Sequence, residues 1–243
     1  MNRYHIASVS WGKDSTFMLY ELVRRAYPLD EVLFFDTGME FKAIYHTRDK
    51  AIPFMKEHGI RYTELKLDRP FEYYMFEHQI FGREGIHYGY SWCGGRVRWG
   101  TGKKVKAMDS YAEERNALVY LGIAADEEKR LVKERKPYKL MPMADWGATE
   151  AMALEACYKN GFFWQEDNIY LYDILKRVSC WCCCNKNQKE LRNIYQYLPE
   201  YWERLKSLQG RTERPMKGLG NSVYDLEKKF MQQIRCEDER RAV

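Results

Sequence analysis

The chain has 243 residues, 45% hydrophobic and 15% aromatic, which allows one large core and excludes a wholly disordered chain. A net charge of +5 and a pI of about 8.7 suit an anionic substrate or a modest nucleic-acid contact, but fall below the range of a dedicated nucleic-acid-binding domain. No apolar run approaches the ~18 residues of a transmembrane helix, and the N-terminus MNRYHIASVSWGKDS lacks a signal-peptide apolar segment. The expectation is a soluble, cytoplasmic protein without a membrane partner.

Residues 4–10 (YHIASVS) read as a strand, followed by a loop and a helix through TFMLYELVRRA. LDEVLFFD (29–36) is a short apolar run suited to a buried parallel strand. Residues 42–58 read as a helix kinked or broken at Pro53. IRYTELKL (60–67) alternates like a strand, and LVYLGI (118–123) is another apolar run. This alternation predicts an α/β fold with a doubly wound parallel sheet over residues 1–145. Residues 146–243 read as a helical, Cys-rich region. A helix over 149–160 is capped by Thr149 and stopped at Gly161, and one or two amphipathic helices surround Pro199. The polar stretch from about 209 reads as a partly mobile tail.

Ser8-Val9-Ser10-Trp11-Gly12-Lys13-Asp14-Ser15 carries the chemistry at the first strand–helix junction. Amides at a helix start and the positive end of the helix dipole favour an anion. Gly12 allows close approach of a phosphate. Ser8, Ser10 and Ser15, with Thr16, can supply hydroxyls, Lys13 can neutralise charge, and Asp14 can hold Mg²⁺ or orient the loop. The pattern differs from G-x-x-x-x-G-K-[ST]. It resembles the S-G-G-x-D-S PP-loop of the adenine nucleotide alpha hydrolase superfamily, with Trp11 in place of the first glycine.

Two further polar segments follow apolar runs, so both are expected at the sheet's carboxyl edge, where doubly wound sheets bind ligands. They are Asp36-Thr37-Gly38-Met39-Glu40 and Gly122-Ile123-Ala124-Ala125-Asp126-Glu127-Glu128-Lys129-Arg130. Asp36 can take a ribose or adenine edge, Lys129 and Arg130 phosphate or sulfate, and Asp126 or Glu127 can join a metal. In order and spacing, the three segments resemble the phosphoadenosine phosphosulfate (PAPS) reductase family. Ala124 and Glu128 replace an arginine and a serine of that family's third pattern. The resemblance implies an adenine nucleotide held by Ser8, Ser10, Trp11, Gly12, Lys13, Asp14, Ser15, Asp36, Thr37, Gly38 and Gly122. It implies catalytic roles for Lys13, Asp14, Lys129 and Arg130.

Seven cysteines include Cys180, Cys182, Cys183 and Cys184 within five residues, a density that favours metal over disulfides in a reducing compartment. Cys180 and Cys183 form a C-x-x-C pair. With Cys93 and Cys157 they make four thiolates, enough for tetrahedral zinc or a [4Fe–4S] cluster. The pattern resembles the family's iron–sulfur members, which carry a Cys pair in the earlier segment; here Cys157 would supply the missing ligand. Cys182 and Cys184 are the spare thiols. Cys236, in IRCEDE, lacks the Gly and His that follow the nucleophilic cysteine of sulfonucleotide reductases. Arg96, Arg98, Lys103, Lys104 and Lys106, interleaved with Trp92 and Trp99, can bind polyphosphate, a nucleic-acid backbone or an acidic partner.

Three readings remain open. The first is an ATP pyrophosphatase that adenylates a nucleic-acid or protein sulfur acceptor, served by a sulfur donor protein. The second is a reductase releasing sulfite from adenylylated sulfate. The third is a nucleotide-binding module with structural zinc. A homodimer is compatible with each.

Overall fold

The computed structural model describes residues 3–83, 85–94 and 97–241. β1 (His5–Ser8), α1 (Lys13–Arg24), β2 (Glu31–Asp36), α2 (Lys42–Glu57) and β3 (Arg61–Lys66) form the first half of a doubly wound unit. α3 (Phe71–Phe76) leads to an antiparallel ribbon of β4 (Gln79–Gly82) and β5 (Gly85–Tyr88). α4 (Trp99–Glu114) returns the chain to β6 (Leu118–Leu121), and α5 (Glu128–Leu131) precedes β7 (Lys139–Leu140). The sheet is fully parallel, in the order β3-β2-β1-β6-β7. α2 continues through Pro53 rather than ending there.

β2 explains the centre of the fold. Its residues Glu31–Phe35 are buried without alternation, as expected of an inner parallel strand covered on both faces. The chain runs outward from β1 to β3 and then crosses back to β6. The strand order therefore reverses between β1 and β6, which puts a crevice at their carboxyl ends.

The second half supplies α6 (Pro142–Asp145), α7 (Glu150–Lys159), the small ribbon β8 (Gln165–Glu166) and β9 (Ile169–Tyr170), and α8 (Leu171–Ile174). α9 (Gln188–Tyr197), α10 (Pro199–Gln209) and α11 (Val223–Arg241) follow. One apolar cluster runs from Ala7 through Cys157 and Trp164 to Phe230, so α7 and the later helices share the core of the sheet.

The stretch after residue 209 departs from its reading as a mobile tail. Val223, Leu226 and Phe230 recur at helical spacing and are buried, with Phe230 against Trp202 and Tyr195. The polar majority of α11 hid this narrow apolar stripe.

Candidate functional site

The phosphate loop lies at the crevice between β1 and β6. Trp11 has φ +60°, the left-handed conformation that the glycine of the pattern would adopt freely. A non-glycine residue there costs about 1–2 kcal/mol. The indole offsets that cost: it is fully buried against Phe34 and Tyr62. The Trp11 carbonyl accepts from the Trp164 indole N–H at 2.7 Å. The loop path thus survives the loss of the glycine.

Gly12 starts α1 without a capping side chain. A Cβ there would lie 3.2 Å from the Tyr172 hydroxyl. That hydroxyl accepts the Lys13 backbone N–H at 2.8 Å. Ser15 Oγ donates to the Gly12 carbonyl and accepts from the Ser10 N–H, both at 3.1 Å, so the two serines brace the turn. Gly122 closes the other wall. A Cβ on it would meet Ser15 Cα at 2.8 Å and Ser15 N at 2.9 Å, so only glycine lets the end of β6 touch the loop. Ser8 is a paired residue of β1, opposite Leu33 and Leu121, and Thr16 is fully buried. Neither lines the cavity of about 190 Å³ that Ser10, Gly12, Lys13, Asp14, Ser15 and Gly122 share with Arg130, Tyr172 and residues 176–179.

Three carboxylates converge beside this cavity: Asp14 lines it, and Glu127 and Glu150 line its neighbour. Oxygens of Asp14, Glu127 and Glu150 lie within 4.8 Å of one another. Lys13 Nζ, nearly buried, sits 2.7 Å from Asp14 and 3.1 Å from Glu150. Burial holds the Asp14 carboxyl above its usual range, with Lys13 opposing the shift. Glu127 accepts from Arg130 at 2.7 Å and pairs with Arg177. Lys129 is exposed and lines that neighbouring cavity, of about 360 Å³, with Asp126, Glu127, Glu128, Glu150 and Lys176. Three acids meeting beside a phosphate-type loop form a donor set suited to a hard divalent cation.

Glu150, Tyr172 and Arg177 were not legible as site residues. Glu150 read only as the first residue of a Thr149-capped helix, where an acid is ordinary.

Asp36, Thr37 and Gly38 line a separate cavity of about 440 Å³ at the ends of β2 and β3. The Asp36 carboxylate accepts from the Gly38 N–H at 2.8 Å and from the Tyr45 hydroxyl at 2.7 Å. Thr37 donates to Glu40, whose carboxyl is raised by burial despite Lys104. The Met39 carbonyl accepts the Trp181 N–H at 3.0 Å, which ties this loop to the cysteine segment.

The cysteines group differently from the expected set. Cys180 and Cys183 are hydrogen-bonded neighbours, Cys183 adjoins Cys184, and Cys184 faces Cys93. A Cβ on Gly94 would meet Cys184 Cβ at 2.6 Å, so the 93–94 and 184 segments pack backbone to side chain. The Cys180 thiol is held high by its Cys182 neighbour, and burial pushes Cys184 up to about 12.

Cys157 is absent from this group. It is buried in α7, its thiol 3.5 Å from the Lys13 carbonyl, and burial with Asp14 nearby raises it to about 12. Cys182 and Cys184, rather than Cys157, adjoin Cys180, Cys183 and Cys93. The Cys157 expectation failed because α7 packs on α1, beneath the phosphate loop.

Sulfurs around one zinc sit about 3.8 Å apart, from Zn–S near 2.3 Å in a tetrahedron. Among the described residues no three thiols offer sulfurs that all lie within 4.8 Å of one another.

The basic stretch does not form a single face. Lys103 stacks over the Tyr74 ring at 3.9 Å, Lys104 acts on Glu40, and Lys106 is exposed. Arg98 precedes α4, and Arg96 lies outside the described residues. Cys236 is exposed on α11, and its neighbour Glu237 pairs with Arg192 of α9. No helix among the described residues is long and apolar enough to cross a membrane.

No family model and no curated protein matches the chain. Among solved structures, the chain is similar to the U34-tRNA thiolase NcsA from Methanococcus maripaludis with its [4Fe–4S] cluster. The identity is 14% over 96% of this chain and 72% of that one, with a TM-score of 0.47.

Proposed function

We propose that the chain is a PP-loop enzyme of the ATP pyrophosphatase type, which adenylates an acceptor for sulfur transfer. The observation that carries this reading is the convergence of Asp14, Glu127 and Glu150 where the loop cavity meets its neighbour, beside Arg130. Lys13, Arg130 and Arg177 already pair with the three acids, and a divalent cation would take their oxygens when a polyphosphate draws on those basic groups.

In this reading Ser10, Gly12 and the α1 amides bind the polyphosphate, and Lys13, Arg130, Lys176 and Arg177 spread its charge. The acceptor oxygen forms a bond to the α-phosphorus as the bond to the bridging oxygen breaks. Pyrophosphate leaves with the electron pair, and a sulfur nucleophile then displaces AMP. The side chains orient the phosphates and stabilise developing charge. Asp14, Glu127 and Glu150 would hold Mg²⁺, which would screen the phosphates. Cys93, Cys180, Cys183 and Cys184 would hold an iron–sulfur cluster, which would supply a site for sulfur.

The adenine end fits the cavity bearing Asp36, Thr37 and Gly38 at the same sheet edge. The sulfonucleotide reductase reading is weaker. Its C-terminal nucleophile would be Cys236, which here belongs to a regular helix docked on α9.

Conversion of ATP to AMP and pyrophosphate, followed chromatographically with acceptor candidates and sulfide present, tests the proposal. Asp14→Ala should lower turnover by about 10²–10³-fold, the scale of losing one preorganised charge contact. Undiminished turnover would overturn it.

A further inference from the structure

We propose that a second cavity, walled by Cys184 and continued by the β4–β5 ribbon, is the acceptor site, and that it takes an unstacked nucleobase of a nucleic-acid strand. The inference rests on the sulfur-transfer reading and names its acceptor.

The cavity holds about 420 Å³, within the range of small-ligand sites. Tyr90, Trp92 and Met216 give it flat and adaptable apolar walls, and Arg214 and Lys217 give it positive charge. Trp92 Nε1 donates to the Arg214 carbonyl at 2.9 Å, and Lys217 Nζ donates to the Cys184 carbonyl at 2.7 Å. The 212–218 loop is thereby fixed against the thiol segment, so a ring in this cavity lies beside Cys184.

Arg214 also lines an adjoining cavity of about 470 Å³, with Arg83 and His87. Among the described residues neither cavity has a carboxylate in its wall. Arg214 and Arg83 thus bring positive charge to the two cavities.

The ribbon borders the adjoining cavity. Its register sets Phe81 opposite Ile86 and Gln79 opposite Tyr88, which puts Phe81, Ile86 and Tyr88 on one face. They are 77%, 55% and 66% exposed. Exposed aromatics on a bare two-stranded ribbon serve no core. Beside cations they match the stacking platforms of single-strand binders, where each base contributes about 1–3 kcal/mol. Charge complementarity selects the occupant. A second copy of this chain would bring arginine against arginine, and a purely apolar protein partner would leave the arginines unused. A polyanion with stackable rings satisfies both halves.

The test uses the full chain without ATP and a short fluorescent single-stranded RNA carrying a photoreactive thiouridine. Binding should saturate and weaken linearly on a log–log salt plot. Arg214→Glu should weaken it at least tenfold, and so should the exposed-ribbon pair Phe81→Ala with Tyr88→Ala. Crosslinks should map to the Tyr90–Val97 and 214–218 segments. Asp14→Ala should bind the strand normally, so loss of ATP turnover and loss of strand binding are separable. ATP turnover without strand binding would overturn this inference and leave the parent reading intact. Strand binding without turnover on any acceptor would overturn the parent reading and the acceptor role with it, leaving only a strand-binding surface. Binding unaffected by the ribbon variants, crosslinks elsewhere, or a dimer abolished by Phe81→Ala would also overturn it.

Discussion

The phosphate loop and the thiol group are built by different means, although residues 172–184 touch both. The phosphate side is backbone-made. Its shape comes from two strand ends brought together by sheet order, from a glycine contact at Gly122, and from a left-handed residue at Trp11. The thiol side is made by loops. Cys93 and Cys184 meet because Gly94 allows it, and Cys180 to Cys184 hang between the Met39 carbonyl and Lys217. A strand end is positioned by the whole sheet, whereas a loop is positioned by a few bonds. The first should tolerate side-chain loss and keep its shape; the second should depend on what it binds.

Variants can break that contrast. The largest effect expected is on the thiol side. Cys184→Ser should remove most of the iron from anaerobically prepared protein, whereas Cys157→Ser should retain it, as read by iron analysis and visible absorbance. Iron retained in Cys184→Ser would take Cys184 out of the ligand set, and iron lost from Cys157→Ser would return Cys157 to it.

Next in size is Trp11→Gly, which places a glycine at the left-handed position. Losing a buried indole costs about 3–5 kcal/mol and relieving the left-handed strain returns about 1–2. Thermal melting should therefore show destabilisation by about 2 kcal/mol. A neutral or stabilising result would show that the indole contributes little.

Smaller is Gly122→Ala, where a methyl meets the Ser15 backbone. It should cost about 1–3 kcal/mol and weaken ATP binding in calorimetry more than it lowers stability.

The smallest effect concerns pH. Asp14 has its folded-state pKa raised by burial, so its contribution to stability is present below the ordinary carboxylate range and is lost as pH rises through the folded value. A divalent cation favours the ionised form. The rise in melting temperature produced by Mg²⁺ should therefore be larger at neutral pH than near the carboxylate range. Equal shifts at both would remove Asp14 from the cation site.

Much of the phosphate side was legible in the chain because local order encodes it. Strand, loop and helix follow one another at Tyr4–Ala26, and the second and third polar segments each end an apolar run. The thiol side was read in composition but not in membership. Spacing distinguishes C-x-x-C from other pairs, yet it cannot say that Gly94 brings Cys93 to Cys184 while α7 carries Cys157 beneath the loop. Glu150, 137 residues from Lys13, was hidden for the same reason. The β4–β5 ribbon escaped notice because its faces are exposed, so no apolar-in, polar-out alternation marks it.

Trp11 has a consequence for how such loops are recognised. A pattern written in residue letters rejects this one at its second position. A pattern written in torsion angles would ask instead what sustains the positive φ found here, and Trp11 does so with a fully buried side chain. The consensus glycine is one solution to that constraint, and a large aromatic wedged into the sheet is another.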